Sequence, residues 1–147
     1  MPTNPRLIAD ELADALEDVV WTGTQFAAQR RNWASVEIEQ MANPVVLVVP
    51  GGVDLSRIGR LDWQSDNSVT VFVGRHVNTD AEVDEMYDLT EVLTTYIRSK
   101  DLGGGLTSPQ SVSVDINPED AMNDRNVWRA VITATYRTLA TDTLPSE

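Results

Sequence analysis

The sequence predicts a single α+β domain in which a mixed, mainly antiparallel β-sheet is packed by two main helices. Three observations predict it. Residues 45 to 49 (Val-Val-Leu-Val-Val) and 68 to 73 (Ser-Val-Thr-Val-Phe-Val) have strand character, and so do residues 111 to 116 and 127 to 137 much further along. Between these two β-rich stretches, residues 79 to 98 carry apolar side chains at helical spacing. A second amphipathic segment covers residues 5 to 20, and at 147 residues the chain fits the roughly 100–200 residues of one domain. The domain is expected over residues 1 to 140, with residues 141 to 147 as a loose polar tail containing Pro145.

The first helix is predicted by Asn4 followed by Pro5, an N-cap side chain and a proline whose missing amide hydrogen costs nothing at the first helical position. Leu7, Ile8, Leu12, Leu16, Val19 and Val20 recur on one side, with Asp10, Glu11, Asp14, Glu17 and Asp18 largely on the other. Gly23 ends the segment. Residues 24 to 33 read as a weaker strand containing Arg30 and Arg31, and residues 36 to 41 suit either a strand or a short helical turn before Asn43-Pro44. Residues 45 to 49 suit a strand covered on both faces, and Pro50-Gly51-Gly52 is expected to close it.

Gln64-Ser65-Asp66-Asn67 offers turn chemistry ahead of the alternating residues 68 to 76, which predicts a hairpin there. Val69, Val71 and Val73 would face one way and Thr70, Phe72 and Gly74 the other. The second helix opens on Thr79-Asp80-Ala81-Glu82, a capping-box pattern, and continues through Val83, Met86, Tyr87, Leu93, Tyr96 and Ile97 to about Lys100. A glycine-rich connector, residues 101 to 105, precedes a closing strand pair at residues 111 to 116 and 126 to 139, joined through Asn117-Pro118-Glu119-Asp120.

Charge is unevenly placed along a chain whose formal net charge is −12. Residues 1 to 20 set one arginine against five acids, and residues 78 to 101 set Arg98 and Lys100 against seven. Residues 21 to 77 balance five arginines with five acids. The helices are therefore acidic, and the β regions neutral and arginine-bearing. Such a surface repels a phosphate backbone, which argues against tight nucleic-acid binding. With no cysteine there is no disulfide or thiolate zinc site. No apolar run approaches the roughly 18 residues of a membrane span, so neither secretion nor membrane insertion is expected.

Candidate chemistry is sparse. Asp115, Glu119, Asp120 and Asp124 cluster around a turn but lack the spacing of a calcium loop, so a solvated turn is expected and no metal. His76, the single histidine, stands beside Arg75 at a strand end without a neighbouring serine, acid or glycine motif, and reads as a surface residue. Gly103-Gly104-Gly105 lacks the strand and helix that a phosphate cradle needs. No cofactor and no enzymatic activity are expected. Four tryptophans, Trp21, Trp33, Trp63 and Trp128, lie at element ends. Trp128 reads as core. Trp33 and Trp63, close to arginines, suit either a core edge or a subunit interface, where Trp and Arg are enriched. The candidate interface residues are Arg30, Arg31, Trp33, Arg57, Arg60 and Trp63.

The order of these landmarks resembles one family. An acidic amphipathic helix is followed by residues 26 to 33 with their arginines, by Pro44-Val45-Val46-Leu47-Val48-Val49-Pro50, and by Ser56-Arg57. Then come residues 68 to 73 with Gly74-Arg75, the helix over 82 to 97, and the closing run from Asp124-Arg125-Asn126-Val127-Trp128 to Tyr136-Arg137. From residue 7 to 139 this resembles the tail-completion proteins of tailed bacteriophages, the group of tail terminators similar to the lambda minor tail protein U. The long N-terminal acidic run and the Gly103 to Gly105 connector depart from the pattern.

The resemblance implies a hexameric ring of identical chains that caps the finished tail tube, stops its polymerisation and offers its other face to the neck or head connector. It implies further partners in the tube protein and, in a contractile tail, the sheath, with genome DNA passing through the ring unbound. The location implied is the virion tail or neck, after assembly in the bacterial cytoplasm. Two other roles suit the same landmarks. One is a neck or connector adaptor that joins head to tail without stopping tube growth, and the other is an unrelated acidic binding module.

Overall fold

Alternation in β3 (Asp62–His76) and β5 (Val127–Thr141) produces the longest pairing in the molecule, an antiparallel ladder running without interruption from Asp62 opposite Thr141 to His76 opposite Val127. The computed structural model describes residues 5–19, 21, 26–32, 43–100, 102, 109–116 and 127–141. Around this pair the sheet is completed by β1 (Ala27–Arg30), β2 (Val45–Arg57) and β4 (Ser111–Ile116), in the spatial order β1-β2-β3-β5-β4. Only β1 and β2 run parallel. Parallel neighbours need a crossover, here through residues 31–44, of which 33–42 lie outside the described residues. The ambiguous stretch at 36 to 41 falls there.

Two helices, α1 (Pro5–Leu16) and α2 (Asp80–Ser99), cover one face. The sheet presents to them Val46 and Val48 of β2, Val69, Val71 and Val73 of β3, and Ala130, Ile132 and Ala134 of β5. Ile8, Leu12 and Leu16 of α1 and Met86, Leu89, Leu93 and Ile97 of α2 meet them, each of these seven fully buried. Small alanines on β5 opposite large helix residues let the layers approach closely. The domain is thus a single α+β unit, a five-stranded and mostly antiparallel sheet with two helices packed on it.

α2 is capped as its sequence requires. The Glu82 amide donates to Thr79 Oγ1 at 3.2 Å, and the Lys100 amide closes the last turn on the Tyr96 carbonyl at 2.9 Å. Arg98 lies in the last turn, at the negative end of the helix dipole. Near the first turn, the nearly buried Arg75 side chain of β3 bonds Glu85 at 2.9 Å and approaches Glu82 at 3.4 Å, tying helix to sheet. Tyr87 is partly exposed, its ring set edge-on against the buried Trp128 at 5.4 Å.

The boundaries differ from expectation at three places, each for a local reason. α1 stops at Leu16 instead of continuing to residue 20. The Asp18 and Val19 amides bond back three residues, to Ala15 and Leu16, in a tighter final turn, and acids at Glu17 and Asp18 do not favour a further helical turn at the negative end of the dipole. Pro50-Gly51-Gly52 does not end its strand, which continues to Arg57. The chain passes through a β-bulge, where three steps along β2 from Pro50 to Val53 match two along β3 from Val69 to Asn67. Proline is tolerated because among the described residues the β1 pairing ends at Val48, so no β1 carbonyl calls for an amide hydrogen at residue 50. The hairpin turn falls at residues 58–61, not 64–67, and Gln64 to Asn67 are ladder residues. Thr141, assigned above to the tail, ends β5. The connectors at 103–108 and 117–126 lie outside the described residues.

Two substitutions probe this arrangement. Leu93→Ala removes a fully buried side chain between α2 and the sheet and is expected to destabilise by about 2–5 kcal/mol in denaturant titration, and a loss under about 0.5 kcal/mol would contradict the two-layer packing. At the bulge, a Cβ on Gly51 would lie 2.9 Å from the Ser68 carbonyl oxygen, whereas one on Gly52 meets nothing within 4 Å. Gly51→Ala should therefore destabilise by roughly 1–3 kcal/mol while Gly52→Ala stays within about 0.5 kcal/mol, and equal effects would show that the bulge is not close-packed.

Candidate interface surfaces

Beyond the bulge the sheet outruns its helices. Residues 53–57, 62–67 and 136–141 continue as a three-stranded arm; along β2 it reaches about 23 Å from Pro50 to Arg57 at the rise of an extended strand. The amides of Ile58 and Gly59 both donate to the Asp62 carbonyl, at 3.0 and 3.3 Å, and close its tip. Four of the large apolar side chains left exposed lie here: Val53, Leu55 (64% exposed), Ile58 (55%) and Leu139 (69%).

Alternation sorts this arm into two unlike faces. Val53, Leu55 and Arg57 pair with Asn67, Ser65 and Trp63 and continue the helix-bearing face. The Arg57 guanidinium stands 5.1 Å from the centre of the Trp63 ring, a cation–π contact that holds the charge in place. Asp54, Asp62 and Asp66 belong to the other face. There Asp66 is bound by Arg137 through bonds of 2.9 and 3.4 Å. At the inner end of the arm Asn67 and Tyr136 are buried as a cross-strand pair, and burial raises the Tyr136 phenol above its ordinary pKa.

Arg57, Arg60 and Trp63 are thus brought together at the arm tip. Arg30 and Arg31 are not. Arg30 lies with its Nε 3.1 Å from the Asp10 carboxylate, an ion pair joining β1 to α1. Arg31 donates from Nη2 to Gln29 Oε1 at 2.9 Å, and its amide bonds the Val48 carbonyl. Val48 is nine residues before Arg57 on β2, about 30 Å away. Trp33 lies outside the described residues.

A second surface was not singled out from sequence. Where the chain leaves α1 it meets the outer side of α2 in a groove of about 740 Å³ whose walls include Asp18, Trp21, Asp88, Glu91, Val92 and Tyr96. Trp21 packs on Phe26 with ring centres 6.2 Å apart. Asp18, Asp88 and Glu91 make no ion pair among the described residues, unlike Glu82 and Glu85, which Arg75 engages. The signal was present as Asp84, Asp88, Glu91 and Thr95 at helical spacing, but their partner wall arrives from the end of another helix.

The remaining candidates are scattered. His76 is half-buried at the end of β3, and Asp115 is exposed on β4. Glu119, Asp120, Asp124 and Gly103 to Gly105 lie outside the described residues. Among the described residues no three histidine or carboxylate side chains are grouped to hold a metal ion, and no helix is long and apolar enough to cross a membrane. Comparison with protein-family models gives no match, and comparison with curated proteins gives no significant one.

The Asp66–Arg137 pair gives the arm a pH signature. The hydrogen bond from Arg137 holds the Asp66 carboxyl below its ordinary value of 3.8. A depressed folded-state value contributes stability that is fully present above the unfolded value and lost as pH falls through the folded one. The stability gap between wild type and Asp66→Asn should therefore stay constant from neutrality to about pH 5 and shrink below about pH 4. A gap that does not change down to about pH 2 would dismiss the pair as a contributor.

Proposed function

We propose that the protein is a structural, non-enzymatic component of a bacteriophage tail, a terminator that assembles as a hexameric ring on the end of the tail tube. The ring stops tube growth and presents its other face to the neck or head connector. Family resemblance over residues 7 to 139 suggests this role, and one structural observation carries it. A single chain bears two unlike surfaces, an arginine-bearing apolar arm and acidic helices. A ring needs such heterologous patches, because each copy offers one face to the neighbour on its left and a different face to the neighbour on its right.

The charge distribution suits the same role. Acidic helices at a net charge of −12 repel duplex DNA, which must move through a tail without being held. An arm that outruns the body provides reach toward a tube or a neighbour, and its exposed Leu55, Ile58 and Leu139 provide apolar area that is otherwise costly to leave in water. No cofactor or metal enters this reading.

The test is to assemble tails with and without the protein and measure tube length and head joining by electron microscopy. Overlong tubes, or tails that fail to join heads, are expected in its absence. Tails of normal length that join heads without the protein would remove the terminator assignment.

A further inference from the structure

The arm and the groove are complementary in two independent respects. On the helix-bearing side and at the tip, the arm presents Val53, Leu55 and Ile58 with Arg57 and Arg60. The groove presents Trp21, Val92 and Tyr96 with Asp18, Asp88 and Glu91. Apolar surface can meet apolar surface while each arginine finds a carboxylate. Within one copy neither need is met, since Leu55 and Ile58 are more than half exposed and the three carboxylates lack ion pairs among the described residues. The arm also extends the strands along their own axes, and the unbroken β3–β5 ladder prevents it from folding back.

We infer that the arm of one copy, through Leu55, Arg57, Ile58 and Arg60, docks in the α1–α2 groove of a second copy, against Asp18, Asp88 and Glu91. The occupant is a second copy because both halves of the contact occur on the same chain in equal number. A symmetric alternative that joins groove to groove would oppose three acids with three acids, and one that joins arm to arm would oppose the arginines. The cation–π contact with Trp63 favours one orientation of Arg57 before docking, so less side-chain freedom is lost on binding. This inference deepens the tail-terminator reading and rests on it for closure of the contact into a ring.

The experiment is a charge exchange on the full chain, read by sedimentation and native mass spectrometry. Three variants are compared: Arg57→Glu with Arg60→Glu, Asp88→Lys with Glu91→Lys, and all four together. The four residues replaced are exposed, and circular dichroism with thermal unfolding checks that each variant folds. Each two-residue variant should associate on the order of tenfold or more less tightly than wild type. The four-residue variant should recover association, and so should an equimolar mixture of the two reversed chains, since every contact then joins opposite charges.

Association unchanged by either reversal, or reversals that fail to rescue one another, would overturn the contact. A wild-type chain that remains monomeric would do the same. If both reversals left association intact but abolished binding to isolated tail tubes, the arm would belong to the tube and the copy-to-copy contact would fall. The functional reading fails separately: a ring that exchanges charges as described but does not arrest tube growth supports the contact and dismisses the terminator, while arrest by a ring insensitive to both reversals does the reverse.

Discussion

The uninterrupted ladder between β3 and β5 is the constraint on which the rest depends. Its inner residues, Val69 to Val73 against Ala130 to Ala134, form the floor on which both helices pack. Its outer residues, Asp62 to Asp66 against Arg137 to Thr141, lie beyond the buried Asn67–Tyr136 pair and form the spine of the arm. Body and arm therefore share one rigid pair of strands. Because backbone hydrogen bonds continue through the boundary, the arm is held in orientation by the same core that stabilises the domain. A separate loop carrying the same side chains would lose far more freedom on docking.

The bulge on β2 decides which chemistry that arm displays. Side chains alternate with a period of two, so one extra residue between Pro50 and Val53 exchanges the faces of everything after it. With the bulge, Val53, Leu55 and Arg57 continue the helix-bearing face, and Asp54 and Ser56 go to the other. In its absence the positions would be reversed, and Asp54 would stand beside Trp63's row in place of Leu55. Gly51 permits the close approach to Ser68 that the bulge requires, and Pro50 lies where β1 has already ended.

How much of this was legible in the sequence follows from the range over which each signal acts. The capping residues of α2, the alternation of Val69, Val71 and Val73, and the strand at Ser111–Ile116 are local patterns, and each was found where expected. The hairpin was misplaced because Pro50-Gly51-Gly52 and Gln64-Ser65-Asp66-Asn67 carry turn chemistry that the long-range β3–β5 pairing overrides. The arm shares the polar texture of a loop, and only the ladder with β5, some seventy residues further along, makes it a strand pair. Of the candidate interface residues, Arg57, Arg60 and Trp63 came together because the turn at 58–61 joins their strands. Arg30 was committed elsewhere by Asp10, an acid on an element whose position relative to β1 no sequence pattern reveals. The groove was missed for the same reason, as one wall comes from residues 18–21 and the other from residues 88–99.

The electrostatics of an acidic chain restrict the ways in which it can meet itself. Exposed charges act over a Debye length of about 8 Å at physiological salt, so two helix faces brought into contact would feel each other's carboxylates almost unscreened. Association then requires that at least one partner present a surface where the acids have been removed. The helix-bearing face of the arm is such a surface, because the strand register sends Asp54, Asp62 and Asp66 to the opposite side and Arg137 neutralises the last of them. Arginine is the suitable cation there: its planar group stacks on Trp63 and still offers donors to carboxylates, which a lysine at the same position would not do in a fixed orientation. In such a contact the apolar side chains, Leu55 and Ile58 on one side and Trp21 and Tyr96 on the other, would supply most of the affinity, and the charges would supply the choice of partner and the direction of approach. The acidic helices would then exclude every pairing but the one that sets arm against groove.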